Sequence, residues 1–213
     1  MSIKAVIFDM DGVILDSETI SDRTWAITQK EMGLVTDKDF INMCRGTNHN
    51  DTLNILRQVF GQDFDAEKFM DHSVELFYQI EESEGIPLMP YVKEALEYLQ
   101  PRYTLALASS TNGVAVKRQL TNAGVIEYFK TRTTGEQVVH SKPDPEIYLM
   151  ACRSIGLDPS ECVAVEDSPN GVRSAAAAGL KTIMVPDKIQ PDDEMRKLCW
   201  KICPSLKSLE EIL

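Results

Sequence analysis

Four short stretches of the chain are apolar almost without interruption: 3–8 (IKAVIF), 103–108 (YTLALA), 162–166 (CVAVE) and 181–185 (KTIMV). Runs of this length, rich in β-branched residues and without polar alternation, predict strands buried on both faces, as in a parallel sheet. Between them, apolar residues recur at helical spacing near 91–100, 113–123, 145–155 and 170–178. Strands and helices alternating at these lengths predict βαβ units and an α/β fold with a doubly wound, Rossmann-like, mostly parallel sheet. Ligands of such folds bind outside the carboxyl ends of the strands. Boundary residues agree with this pattern. Asn112 precedes Val114, Val116 and Leu120, with Gly124 closing that helix, and Asn170 precedes GVRSAAAAG, with Gly179 at its far end. Pro145 stands where a first-turn proline belongs, and Ser205 is placed to cap a short terminal helix with Leu206, Leu209 and Leu213 inward.

The stretch from 18 to 88 breaks this rhythm. It holds amphipathic segments near 18–32, 37–44, 50–59 and 65–82 and no convincing buried strand. Helices of this kind between a first strand and the next αβ unit predict an all-helical domain, residues 16–88, inserted into a core made of 1–15 and 89–213. Charge sorts the same way: residues 16–88 hold 15 acids and 6 bases, the rest 18 acids and 16 bases. A shift this sharp favours a separate body over a long loop.

The net charge of -11, with no basic stripe interrupting it, argues against a nucleic-acid partner, since such a protein must neutralise phosphates with Lys and Arg. No window approaches eighteen uncharged apolar residues, so no membrane span is expected. Met1-Ser2-Ile3-Lys4 runs straight into a strand without a signal-peptide pattern, and the expected location is the cytoplasm. The five cysteines (44, 152, 162, 199 and 203) show no CxxC pair, and His49, His72 and His140 do not complete a zinc set. They read as reduced structural thiols, with the last two on a helical or irregular tail. Core and insert can each bury their own apolar face, so a monomer is the expected state.

Chemistry concentrates in FDMDGVILDSE, residues 8–18. Asp9 and Asp11 lie two apart at the end of an apolar strand, where strand periodicity turns both side chains the same way. Two adjacent carboxylates repel unless a cation joins them, and hard oxygen ligands suit Mg²⁺. Gly12 then permits a tight turn, and Asp16 and Ser17 fall where the chain enters the insert.

This string resembles the haloacid dehalogenase superfamily, in the branch with a helical cap after the first strand that includes β-phosphoglucomutases and small-substrate phosphatases. The resemblance spans nearly the whole chain and returns at three more places: Ser109 in LALASSTNG, Lys142 in SKPDPEIY, and Glu166-Asp167 in VAVEDSPNGVRSAAAAG. It implies that Asp9 is a nucleophile forming an aspartyl-phosphate and that Asp11 is the general acid-base. It implies further that Ser109 bonds the phosphoryl oxygens and that Lys142 offsets charge between phosphate and nucleophile. Asp167 would complete a Mg²⁺ site with Asp9 and the backbone carbonyl of Asp11, and Glu166 would join or orient that ligand set. A haloalkanoic dehalogenase lacks the DxD arrangement, so Asp11 speaks for phosphoryl transfer.

Hydrolysis and mutase chemistry differ in the cap. The family's mutases use a cap histidine, an arginine and a lysine. Here Ser21 stands at the histidine position, His49 at the approximate arginine position, and the last cap helix carries Tyr78, Glu81, Glu82 and Glu84 but no lysine. Arg45 and His49, with Arg23 more remote, are the cations left to bind a second phosphate; Asn112 and Ser17 complete the candidate substrate contacts. The expected function is therefore a Mg²⁺-dependent phosphatase acting on a small phosphate monoester such as a sugar phosphate. A sugar phosphomutase is the alternative. A phosphonate hydrolase would need a Schiff-base lysine in the cap, and Lys30, Lys38 and Lys68 have no diagnostic setting for it. A non-catalytic interaction protein is disfavoured because all the catalytic positions occur together.

Overall fold

The computed structural model describes residues 2–35, 39–45 and 49–213. The chain runs β1 (Ala5–Phe8), α1 (Ser17–Glu31), α2 (Asp39–Cys44), α3 (His49–Phe60), α4 (Ala66–Glu84), α5 (Val92–Leu99), β2 (Thr104–Ala108) and α6 (Gly113–Asn122). It continues through β3 (Thr131–Thr133), α7 (Glu146–Ile155), β4 (Cys162–Glu166), α8 (Pro169–Ala177), β5 (Lys181–Met184), α9 (Asp193–Leu198), β6 (Lys201–Ile202) and α10 (Leu209–Ile212). It divides into two compact units, Met1–Asp16 with Pro87–Leu213, and Ser17–Ile86.

The larger unit is a six-stranded parallel sheet in the order β3-β2-β1-β4-β5-β6. All four residues of β1 are fully buried, as the unbroken apolar run predicts for a central strand. The register pairs Phe8 with Leu107 on one side and with Val165 on the other. Successive strands move outward from β1 to β3 and then restart on the opposite side at β4. That reversal opens a crevice at the carboxyl end of β1, where doubly wound sheets bind ligands. On one face, Ala5, Ile7, Ala106, Ala108 and Ala164 pack with Ile147, Tyr148, Ala151 and Cys152 of α7.

Three readings of the sequence need correction. Helix α8 is capped by Ser168, not Asn170: the Ser168 hydroxyl accepts the Gly171 N–H at 3.2 Å, with Pro169 in the first turn. Asn170 instead accepts a bond from the Arg173 guanidinium. Ser205 precedes a 3₁₀ turn without making a side-chain capping bond, although Leu206 and Leu209 are buried as expected. The cysteine-bearing tail is not wholly helical or irregular, because β6 lies between Cys199 and Cys203. By contrast, Asn112 does cap α6, accepting the Ala115 N–H at 3.0 Å.

The chain leaves and rejoins the larger unit at one place. The Asp16 N–H donates to the Pro87 carbonyl at 2.8 Å, and Met89 donates to Ile14. The smaller unit is helical throughout its described elements, with α1 and α3 packing on α4. Its core joins Phe40, Leu53, Leu56 and Phe69 with Trp25 and Phe60, the Trp25 ring stacked on Phe40 and edge-on to Phe69. Trp25 is thus a packing residue. A Ser73–Thr28 hydroxyl bond of 3.0 Å satisfies the buried polar groups where α4 meets α1. Part of the predicted 37–44 segment, including Lys38, and the turn after Arg45 lie outside the described residues. No helix among the described residues is long and apolar enough to cross a membrane.

Candidate active site

Asp9 follows β1 directly and is held by its backbone, which donates to the Val165 carbonyl at 3.0 Å. Its side chain is almost buried. Lys142, 133 residues away, donates from Nζ to Asp9 Oδ1 at 2.5 Å, to Glu166 Oε1 at 2.7 Å and to the Ala108 carbonyl at 3.0 Å. An ammonium has three donors, and all three are engaged. Glu166 ends β4 and is fully buried. Such a charge is tolerated only when paired and hydrogen-bonded, and here its Oε1 accepts from both Lys142 and the Tyr148 hydroxyl.

The electrostatics follow from this crowding. Burial pushes the Asp9 carboxyl above the usual carboxylate range; Lys142 opposes that, while Glu166 and Asp11 add to it. Burial pulls the Lys142 ammonium down, but Asp9 and Glu166 outweigh it and hold the ammonium above its ordinary value. Asp9, Asp11 and Glu166 set against the single Lys142 leave a negative excess around the buried Asp9. Asp9, Glu166 and Asp167 offer oxygens that all lie within 4.8 Å of one another and form an acidic cluster able to hold a metal ion. The donor set is wholly oxygen, which fits a hard divalent cation.

Asp11 and Ser109 are joined through Thr111. The Thr111 hydroxyl donates to Asp11 Oδ2 at 2.8 Å, and its N–H donates to Ser109 Oγ at 3.1 Å. Ser109 is fully buried at the end of β2, its N–H bonded to Thr133 of β3. Lys142 sits on a loop fastened at both sides. Glu146 accepts the N–H groups of His140 and Val139, which keep its carboxyl below the usual range. Ser174 of α8 donates to the Asp144 carbonyl at 2.6 Å. The Asp144 carboxylate accepts the Glu146 N–H at 3.0 Å, so the acidic groups of His140–Glu146 fasten their own loop.

Two glycines shape the site. Gly12 has φ +76°, and a Cβ there would run into the Asp167 carboxylate. Gly12→Ala is expected to destabilise the protein by roughly 1–2 kcal/mol from the left-handed backbone alone and to displace Asp167; thermal melts check the first effect. Gly171 of α8 backs onto Glu166 so closely that a Cβ would overlap its carboxylate.

The structure thus brings together Asp9, Lys142, Glu166 and Asp167, with Asp11 and Ser109 linked by Thr111. The remaining candidates are placed elsewhere or differently. Asn112 spends its side-chain oxygen capping α6. Ser17 opens α1 of the helical unit and is buried. Arg45 forks onto both oxygens of Asp22 at 2.7 Å, reaches Glu18 at 2.9 Å and Asn42 at 3.1 Å, and is only 12% exposed. Arg23 pairs with Glu84, and His49 faces Glu67 at 3.3 Å. Sequence reasoning missed Thr111 and Tyr148. A tyrosine on the apolar face of a predicted helix was the available signal, because a buried phenol needs a partner.

The family model for haloacid dehalogenase-like hydrolases matches residues 6–185, and the chain belongs to that family. It is a phosphohydrolase of the haloacid dehalogenase superfamily with an inserted cap domain. A phosphorylated carbohydrates phosphatase from Thermotoga maritima is 33% identical over 181 residues, 84% of this chain and 83% of the relative. Hexitol phosphatase B from Escherichia coli is 30% identical over 86% of this chain and 84% of its own. Among solved structures, a Thermotoga maritima protein provisionally named a β-phosphoglucomutase superposes with TM-score 0.81 at 28% identity, covering 99% of this chain and 98% of the other.

Proposed function

We propose that this protein is a phosphatase that hydrolyses a small phosphate monoester, such as a sugar or polyol phosphate, through a phospho-Asp9 intermediate. The observation that carries the reading is Asp9 itself: a buried carboxylate at the crevice of the sheet with one oxygen held by Lys142. A carboxylate so oriented is a positioned nucleophile.

In the first step an Asp9 oxygen attacks phosphorus and the ester oxygen leaves, taking a proton from Asp11. In the second, Asp11 takes a proton from water as the water oxygen attacks phosphorus, releasing inorganic phosphate and restoring Asp9. Thr111 orients Asp11 for both transfers. The Ser109 hydroxyl would bond phosphoryl oxygens, and Lys142 would balance the charge that accumulates beside Asp9. The Asp9 and Asp167 carboxylates and the Asp11 backbone carbonyl would hold Mg²⁺, with Glu166 orienting the set since its Oε1 already serves Lys142 and Tyr148. When bound, Mg²⁺ supplies electrostatic stabilisation of the transferring phosphoryl group.

The cap supports hydrolysis over mutase chemistry. A mutase must hold a second phosphate, and Arg45, a cap cation only 12% exposed, is already neutralised by Asp22 and Glu18. The names of the two phosphatase relatives point the same way, to phosphorylated carbohydrates and hexitols. Likeness to the β-phosphoglucomutase structure favours the second reading, a sugar phosphomutase. Phosphorus NMR on the purified protein with Mg²⁺ and a panel of phosphate monoesters separates the two. The panel includes β-glucose 1-phosphate with a trace of its bisphosphate. Growth of inorganic phosphate is expected; conversion of the 1-phosphate to the 6-phosphate with little free phosphate would overturn the phosphatase assignment.

A further inference from the structure

We propose that Tyr148 is a positioning residue: its hydroxyl fixes the Glu166 carboxylate, and through it aims Lys142 at Asp9. The catalytic part of this inference rests on the phosphatase reading; the structural part does not.

Tyr148 is fully buried on α7 among alanines and aliphatic side chains, a setting that phenylalanine would fill equally well. A phenol there loses its hydration and needs a compensating bond. It donates to Glu166 Oε1 at 2.6 Å. The Glu166 carboxylate is enclosed from other sides as well. Lys142 meets the same oxygen at 2.7 Å, Ser168 Oγ lies 3.4 Å from Oε2, and the backbone of Gly171 closes the back. Lys142 has three acceptors for three protons, so moving one acceptor moves the ammonium. Its Nζ also lies 5.2 Å from the Tyr148 ring centre, and Tyr148→Phe keeps that ring while deleting only the hydroxyl.

Groups that orient catalytic side chains from behind are worth about 10- to 100-fold in activity. With the ester that wild type hydrolyses fastest, Tyr148→Phe is expected to lower kcat by about tenfold or more while KM stays within about twofold. Gly171→Ala would drive a Cβ into the same carboxylate and should also lower kcat, and a melting curve of each variant separates lost function from lost folding. A second readout needs neither turnover nor metal. In metal-free protein carrying ¹⁵N-lysine, the Lys142 ammonium, bonded three ways and shielded from water, should give a slowly exchanging proton–nitrogen signal, assigned by its absence from Lys142→Met. Tyr148→Phe should shift or broaden that signal. An unmoved signal, or one absent from wild type, overturns the proposal. So does a folded Tyr148→Phe protein with unchanged kcat. If wild type hydrolyses no ester of the panel, the phosphatase reading fails and the lysine signal alone decides whether Tyr148 positions Lys142.

Discussion

Asp9→Asn is expected to take turnover at least about 10⁴-fold below wild type, the scale seen when an enzyme loses its covalent nucleophile. The substitution keeps shape and removes the attacking oxygen. Folding should survive it, because Lys142 retains Glu166 and the Ala108 carbonyl. Crowding by Glu166 and Asp11, which raises the Asp9 carboxyl alongside burial, is relieved at the same time. Loss of activity with a near-unchanged melting curve therefore assigns the defect to chemistry. Acid quenching after brief exposure to a ³²P-labelled ester should leave label on wild type and none on Asp9→Asn. Label retained by the variant would move the nucleophile elsewhere.

Lys142→Met should damage stability as well as rate. The lysine is the cation lying between Asp9 and Glu166, and its side chain is 8% exposed. Deleting one partner of a buried ionic group costs about 3–5 kcal/mol, because the remaining charges are left uncompensated. Methionine matches the stem's volume, so packing contributes little. The deficit should depend on pH with a definite sign. Lys142 is what opposes the rise of the Asp9 carboxyl, so its removal lifts the folded-state value further above the unfolded one. A carboxyl raised in this way destabilises the fold increasingly as pH climbs from the unfolded value through the folded one. Because wild-type Asp9 already sits at about 8, the part of the deficit owed to this carboxyl should grow as pH rises past about 8 and level off below it, read from urea midpoints of both metal-free proteins between about pH 6 and about pH 10. A deficit independent of pH would mean that the lysine acts through packing. Turnover with Mg²⁺ should fall by about 10²-fold or more, as when a charge-stabilising donor is removed from an active site.

The core was readable from local patterns to the extent that its strands are central. The runs at 3–8, 103–108, 162–166 and 181–185 became β1, β2, β4 and β5, because strands covered on both faces must be apolar throughout. β3 and β6 escaped for the converse reason. Thr131-Arg132-Thr133 and Lys201-Ile202 lie at the edges of the sheet, and edge strands need no apolar run. The Ser168 cap was misread by two residues because Ser168, Asn170 and a first-turn proline compete within one short string, and hydrogen-bond geometry decides among them.

The site divides along the same line. Asp9, Asp11 and Gly12 could be read together because they are neighbours in one string at a strand end, and the insertion after them showed in composition and helical period. Local order carries such information because burial period and turn chemistry are properties of a few consecutive residues. What packing alone decided is who touches whom across long separations: Lys142 on Asp9, Thr111 on Asp11, Tyr148 on Glu166 and the Asp167 carboxylate against Gly12. Arg45 looked like an available cation until the cap folded it against Asp22 and Glu18. Charge is a property of a residue, but whether it is already compensated is a property of its neighbours, and those neighbours are set by the register of the sheet and the packing of the helices.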